Sequence, residues 1–405
     1  MKVLLISANT ERINMVTMPL GLGLVAAATR RAGHDVTFLD LLDDADPEAA
    51  VVRAIAATRP DVIGISVRNI DDQTRDNPRF LLEQVRPAVM ACRAGTRAPI
   101  VLGGAGYSIF PDAALAYLGA DFGVAGDGEE AFPALLSRLQ AGGGPAGLPG
   151  VHAAGAPAAA PAAFADALDS FPLWDEALDP IASAAGPDLW LPVQSRRGCP
   201  NDCSYCSTAR IQGRRIRSRS PRRVVEKLAA LARAGFKRFY FVDNSFNIPH
   251  DYALEICRLM KELAPGVEWR CILYPHLVSD ELVSAMAGAG CVEVSLGFES
   301  GSSRVLRQMH KRFAPADVRA TSELLARHGI RRMGFLLLGG PGETRETVEE
   351  SLAFADSLRL EALKTTVGIR IYPGTPLARR AVQDGMISPE DDLLQPRFYL
   401  TPGLR

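Results

Sequence analysis

No stretch of this sequence holds the 18 or so consecutive apolar residues that a membrane helix requires. The opening run MKVLLISANTERINMV lacks the charged start and long apolar middle of an export signal. Charge of one sign is missing too. Lys and Arg number 45 against 46 Asp and Glu, a net charge of −1, so no basic excess marks a nucleic-acid binder. Cysteine is scarce: of seven, three crowd into residues 199–206 and the other four are scattered. That distribution excludes a disulfide framework and suits a metal site. The dinucleotide fingerprint G-x-G-x-x-G is absent after the first apolar run, where Ser7-Ala-Asn-Thr10 stands, so NAD is not expected. A cytoplasmic protein with neither a membrane nor a nucleic-acid partner is expected.

What is present is enough chain for two or three domains, 405 residues with 47% apolar. Residues 1–141 alternate short apolar runs with amphipathic stretches. Strands are expected at 3–7, 35–39, 61–66, 99–103 and 122–125, with helices at 20–31, 48–58, 80–93, 112–118 and 129–140. This order predicts an α/β domain, a doubly wound Rossmann-like parallel sheet covered on both faces. Ligands of such sheets sit at the carboxyl ends of the strands. Gly and polar residues collect there, at 66–72, 103–108 and 126–129. Residues 142–190 are rich in Ala, Gly and Pro and read as a linker with one hairpin near Val151 to Ala154. From 191 to 384 six further β/α units follow, with strands expected at 191–195, 238–242, 268–273, 291–296, 333–338 and 364–371. Eight would close a barrel, so six predict a partial (β/α)6 barrel. The tail, 385–405, shows no pattern.

The sharpest signal is Arg197-Gly-Cys-Pro-Asn-Asp-Cys-Ser-Tyr-Cys206, a C-x3-C-x2-C spacing just after the first barrel strand. Closely spaced thiolates on one loop hold iron–sulfur clusters. Cys199, Cys203 and Cys206 leave one iron of a [4Fe–4S] cube open to a small molecule. Structural zinc needs four ligands, usually in two pairs, and His152, His250 and Cys257 are lone and distant.

With Tyr205 before the last cysteine, the motif resembles the radical S-adenosylmethionine (SAM) superfamily, over about 190–380. That resemblance implies a [4Fe–4S] cluster on the three cysteines, SAM on the open iron and reductive cleavage of SAM to a 5′-deoxyadenosyl radical. It also implies an electron donor such as flavodoxin or ferredoxin. Later segments match in order. Phe241-Val-Asp-Asn-Ser-Phe246 ends the second barrel strand without the family's usual Gly-Gly-Glu, so Asp243 and Asn244 are SAM contacts by position only. Ser295-Leu-Gly-Phe-Glu-Ser300 resembles the Gly-x-Glu-Ser element that points Glu299 at the ribose or methionine. Leu338-Gly-Gly-Pro-Gly-Glu-Thr344 resembles the turn near the adenosine, through Gly339 and Gly340, and Ile371-Tyr-Pro-Gly-Thr-Pro376 the adenine-side loop, through Tyr372.

The first domain is similar to the cobalamin-binding domain of the B12-dependent branch of that superfamily. The similarity implies cobalamin contacts at Leu20 and Gly21, at Gly103, Gly104 and Gly106, and at Gly126, Gly128 and Glu129, with Arg68 and Asn69 near the lower face. The Asp-x-His-x-x-Gly motif of B12 mutases is missing; His34 lies in Gly-His-Asp and reads as a surface turn residue. The Arg run 214–223 reads as a solvated basic segment.

The expected activity is methyl transfer from cobalamin to an unactivated carbon of a small-molecule substrate. No catalytic side chain is assigned. Two alternatives stand: a cobalamin-binding radical enzyme without methyl transfer, and a tRNA methylthiotransferase. The second needs three cysteines in the first domain, which has only Cys92.

Overall fold

The computed structural model describes residues 1–12, 18–156, 159–173 and 189–404. The first sheet has six strands in the order β2-β1-β3-β4-β5-β6. They are β1 (Lys2–Ser7), β2 (Asp35–Asp40), β3 (Val62–Ser66), β4 (Ile100–Gly103), β5 (Phe122–Val124) and β6 (Val151–Ala153). The first five are parallel. Val3, Leu4, Leu5 and Ile6 are all buried, because helices cover both faces and leave no side for polar residues. The order reverses between β1 and β3, which opens the crevice where doubly wound sheets take ligands.

The expected strands and helices of this domain are present, with a further short helix, Ala105–Ile109, on the glycine run after β4. The linker reading needs correction. β6 is no hairpin; it pairs antiparallel with β5 and carries the sheet past residue 141. Residues 159–173 are strapped down: Arg219 donates to the carbonyls of Leu168 at 2.8 Å, Phe171 at 3.2 Å and Pro172 at 2.8 Å. Residues 157–158 and 174–188 of the expected linker lie outside the described residues.

The second sheet is the expected six-unit open barrel, with strands in chain order. They are β7 (Leu191–Val193), β10 (Arg238–Phe241), β11 (Glu268–Leu273), β12 (Cys291–Glu299), β13 (Arg331–Leu338) and β14 (Ala362–Val367), all parallel. Between the first two lies a small hairpin, β8 (Arg196–Arg197) with β9 (Arg217–Ser218), that the sequence did not signal. The sixth expected strand, 364–371, is broken at Gly368, whose φ is +81°. Past the break, β15 (Ile369–Arg370) pairs with β16 (Phe398–Tyr399). The tail therefore has structure: Leu393, Leu394 and Tyr399 are buried in an apolar cluster that also holds first-domain residues such as Tyr107 and Phe110.

Two ion-pair groups set the relative position of the domains. Arg370, just after β14, donates from Nε to Asp71 Oδ2 at 2.7 Å, and Asp71 lies in the loop after β3. Arg197, after β7, pairs with Asp127 and Glu129, which follow β5. Each pair joins a carboxyl-edge loop of one sheet to a carboxyl-edge loop of the other, so the two ligand-binding edges face each other.

Candidate functional site

The cysteine loop runs from Gly198 to Cys206 and is pinned at both ends. Gly198 has φ +89°, and a Cβ there would stand 2.0 Å from the Arg215 carbonyl, so only glycine fits. Gly198 N donates to Gln212 Oε1 at 3.1 Å, and Asn244 Nδ2 to the Gly198 carbonyl at 3.1 Å and to Gln212 Oε1 at 2.8 Å. Farther on, Ser204 N donates to the Met309 carbonyl at 3.0 Å, and Leu377 N to the Ser204 carbonyl at 2.9 Å.

Cys199 and Cys203 are half-buried and Cys206 is exposed. Burial pushes the Cys199 and Cys203 thiols up. Each also feels the charge of Cys206, and Cys203 that of Cys199, so the three lie close together, while nearby Lys311 pulls both back down. Among the described residues no three His, Cys, Asp or Glu side chains converge on a point where a single ion would sit. One zinc ion needs its sulfurs about 2.3 Å from one centre; a four-iron cube takes three thiolates at three corners. The donor set fits the cube.

Beside the thiols lies a buried polar group that the sequence showed only in part. The register of β12 against β13 shifts between Leu296 and Glu299, and Glu299 has φ +65°. Such a bulge re-aims a side chain, at a cost of about 1–2 kcal/mol for the left-handed backbone. Glu299 Oε1 accepts from Tyr205 Oη at 2.9 Å and from Lys311 Nζ at 3.3 Å. Lys311 is caged by the rings of Tyr205 at 5.3 Å, Phe313 at 5.7 Å and Tyr274 at 5.8 Å. Its side chain is 4% exposed. Burial pushes the Lys311 ammonium pKa down, but Tyr205 and Glu299 more than offset that and hold it charged. Lys311 was missed because a lone Lys after a helix carries no signal; only the fold brings it to Cys203.

Other expected SAM contacts divide. Tyr372 packs 6.2 Å from the Phe110 ring and lies near enough to Cys206 to feel its charge. Asp243 is a correction: its carboxylate is committed to Ser195 N at 2.8 Å and to Arg196 Nε at 3.1 Å and Nη2 at 3.0 Å, in a fully buried pair. It braces the strand end, with its carboxylate held by protein partners, and lies with Asn244 along a small space beside Cys199. The N–H groups of Gly339 and Gly340 both go to Glu343 Oε2, and an added Cβ would strike Leu400 at 2.5 Å or Met309 at 2.8 Å. These glycines make a tight turn.

In the first domain a crevice opens between β1 and β3. It is lined by Ala8, Asn9, Ser66, Arg68 and Asn69 among others. Gly21, Arg68, Gly104 and Ala105 are exposed along the same edge, and nothing stands within 4 Å of a Cβ built on Gly21. Gly103 is open as well, its nearest neighbour 3.7 Å from an added Cβ. Gly104 and Gly106 let the run after β4 lie on the backbone of 67–69, where a Cβ would meet the Val67 carbonyl at 2.5 Å or the Arg68 carbonyl at 3.0 Å. At Gly21 and Gly103 no side chain covers this edge, which suits close approach of a broad ligand.

Several expected cobalamin contacts meet protein instead. Leu20 packs on the barrel core. An added Cβ on Gly126 would meet Ala162 at 2.9 Å, and one on Gly128 would meet Val25 at 2.8 Å. Glu129 is corrected: both oxygens accept from Arg197, at 2.5 and 3.1 Å, and the side chain is buried. The basic segment is corrected in part: Arg214, Arg215 and Arg222 are exposed as expected, but Arg217 and Arg219 are 3% exposed and held by Asp127 and backbone carbonyls. His34 is not a surface residue but 8% exposed; burial pushes its pKa down, and it sits at the amino edge of the sheet beside the Met1 amine.

A family model for the radical SAM superfamily matches residues 193–355, and one for the B12 binding domain matches residues 6–136. An uncharacterized methyltransferase of Pyrococcus horikoshii is 26% identical over 96% of this chain and 84% of its own length. Cytidylyl-2-hydroxyethylphosphonate methyltransferase of Streptomyces wedmorensis is 27% identical over 93% of this chain and 80% of its own. Among solved structures, the radical SAM methyltransferase TsrM from Kitasatospora setae, with cobalamin and a [4Fe–4S] cluster bound, superposes with a TM-score of 0.86 at 22% identity over 100% of this chain and 84% of that one. The chain belongs to the cobalamin-binding branch of the radical SAM superfamily, whose cofactors are a [4Fe–4S] cluster, SAM and cobalamin.

Proposed function

We propose that the protein methylates a carbon atom of a small molecule, with the methyl group carried by cobalamin. The observation that carries this reading is the apposition of the two carboxyl edges, tied by Arg370–Asp71 and by Arg197 with Asp127 and Glu129. Relatives that span nearly the whole chain and bear methyltransferase names support it. When bound, the cluster supplies an electron for cleavage of SAM, and cobalamin carries the methyl group.

The protein's part is placement. Cys199, Cys203 and Cys206 hold the cluster. Tyr205, Glu299 and Lys311 form the polar wall beside it and meet the aminocarboxylate and ribose of SAM. Tyr372 closes the adenine side, and Asn244 keeps the start of the loop in register. Gly21, Gly103 and Gly104, with Arg68 and Asn69 beside them, would hold the cobalamin. The electron donor is a flavodoxin or ferredoxin, and the setting is the reducing cytoplasm. The methylthiotransferase alternative is disfavoured by Cys92. It is the only cysteine before residue 141, it is fully buried, and burial pushes its thiol up to about 12.

The test is an anaerobic assay with SAM carrying a deuterated methyl group. Methyl transfer predicts deuterium in the product and both S-adenosylhomocysteine and 5′-deoxyadenosine as coproducts. A consumed substrate with deoxyadenosine alone would select the non-methylating alternative. Methylthiolated tRNA would select the other.

A further inference from the structure

Arg197 stands two residues before Cys199 and is 7% exposed. Nε donates to Gln194 Oε1 at 2.8 Å, Nη1 to Asp127 Oδ1 at 2.9 Å and Glu129 Oε2 at 3.1 Å, and Nη2 to Glu129 Oε1 at 2.5 Å. Its planar face lies 5.5 Å from the Phe171 ring. Directly across the β8–β9 hairpin, Arg217 pairs with the other oxygen of Asp127. Two arginines facing each other across a strand pair repel. Here Asp127 and Glu129 balance them, two carboxylates for two guanidiniums, all buried. The acids come from the first domain and the arginines from the hairpin that launches the cysteine loop.

Between Arg197 and Cys199 there is no slack. Gly198 admits no other residue, its N–H is bonded to Gln212, and Cys199 N donates to the Gly213 carbonyl at 3.2 Å. A shift of the Asp127–Glu129 loop therefore moves the first thiol. We propose that Arg197 is a positioning residue for the iron–sulfur loop, and that Asp127 and Glu129 of the first domain set its position. The inference rests on the function proposed above. Arg197 acts through the backbone; its guanidinium is fully engaged and touches no cofactor ligand.

The competing explanation is that the cluster of charges only holds the domains together. The Arg370–Asp71 pair supplies the control, because it also joins the domains but forms no hydrogen bond with the cysteine loop; Arg370 stacks on Tyr372, so the control applies to the cluster without SAM. The experiment uses the full chain, reconstituted anaerobically, and reads iron per chain and the electron paramagnetic resonance spectrum of the reduced cluster with and without SAM. Arg197→Gln and Glu129→Gln should retain less iron and shift the spectrum, and Arg197→Lys, which keeps the charge, should recover part of both. Asp71→Asn should unfold at lower denaturant yet leave iron per chain and the spectrum without SAM as in wild type. Spectra of Glu129→Gln and Arg197→Lys identical to wild type, or one equally changed by Asp71→Asn, would overturn the inference. A wild-type chain that assembles no cluster would instead overturn the functional reading on which it rests.

Discussion

Tyr205 Oη donates to Glu299 Oε1 at 2.9 Å, joining residues 94 apart in sequence across the mouth of the barrel. One belongs to the cysteine loop and the other to the bulged end of β12. Their contact ties the loop that holds three thiols to a carboxylate whose second partner is the buried Lys311.

Breaking that group has two separable effects. Lys311→Met leaves Glu299 without its cation in a largely buried site, and removing one member of a buried pair costs about 3–5 kcal/mol. A lower denaturation midpoint should follow, together with weaker SAM binding at the cluster. Glu299→Gln should weaken SAM binding while the affinity for hydroxocobalamin stays as in wild type, because Glu299 lies on the barrel. Equal loss of both ligands would show that the two sites are not independent in this way.

Anaerobic reconstitution should give roughly four irons per chain, as expected of a cubane. Cys203→Ala should lose the cluster and all cleavage of SAM. Stoichiometric zinc in anaerobically purified wild type, or cleavage retained in the variant, would refute the assignment of the three thiols.

Bound cobalamin should have no histidine on the cobalt. His34 is near the start of β2, at the edge opposite the crevice between β1 and β3. The spectrum of the Co(II) form should therefore be the same in His34→Ala as in wild type. Nitrogen splitting that disappears in the variant would place His34 at the metal after all.

Gly368→Ala should destabilise the protein by about 1–2 kcal/mol from the left-handed backbone alone. The φ there is +81°, and an added Cβ would also meet the Arg75 side chain at 2.6 Å, where the loop after β3 presses on the sixth barrel strand. Thermal denaturation of the two proteins checks this; an unchanged midpoint would mean that the break in the strand is not needed.

Glu343 gives a pH signature. Burial pushes its carboxyl up, and among the described residues Oε1 has no hydrogen-bond partner while Oε2 takes the amides of Gly339 and Gly340. A carboxyl raised by folding favours the protonated native state. Wild-type stability should thus fall as pH rises from the unfolded pKa of about 4.3 to the higher folded one, and stay level above it. Glu343→Gln keeps an acceptor for the amides and removes the charge. The difference in denaturation midpoint between variant and wild type should grow from pH 4 toward neutrality; a difference that does not change with pH would sink the argument.

Much of this was legible in the chain itself. Apolar runs such as Val3–Ile6 mark parallel strands buried on both faces, and their alternation with amphipathic helices fixed the two α/β units. The spacing of Cys199, Cys203 and Cys206 alone put three thiols on one loop, because three cysteines within eight residues need no tertiary contact to be neighbours. What only the tertiary structure decided are the long-range charge pairings. Glu129 read as a ligand contact and Arg217 as a solvated residue, yet Glu129 pairs directly with Arg197, and Asp127 joins Arg217 to the same Arg197 in one buried group. Asp243 read as a SAM contact and is closed on Arg196, while Lys311 carried no signal and stands beside Glu299. The physical reason is the same in each case. A charged side chain looks identical in sequence whether water or an opposite charge solvates it, and burial makes the choice of partner only when the two sheets bring their edges together.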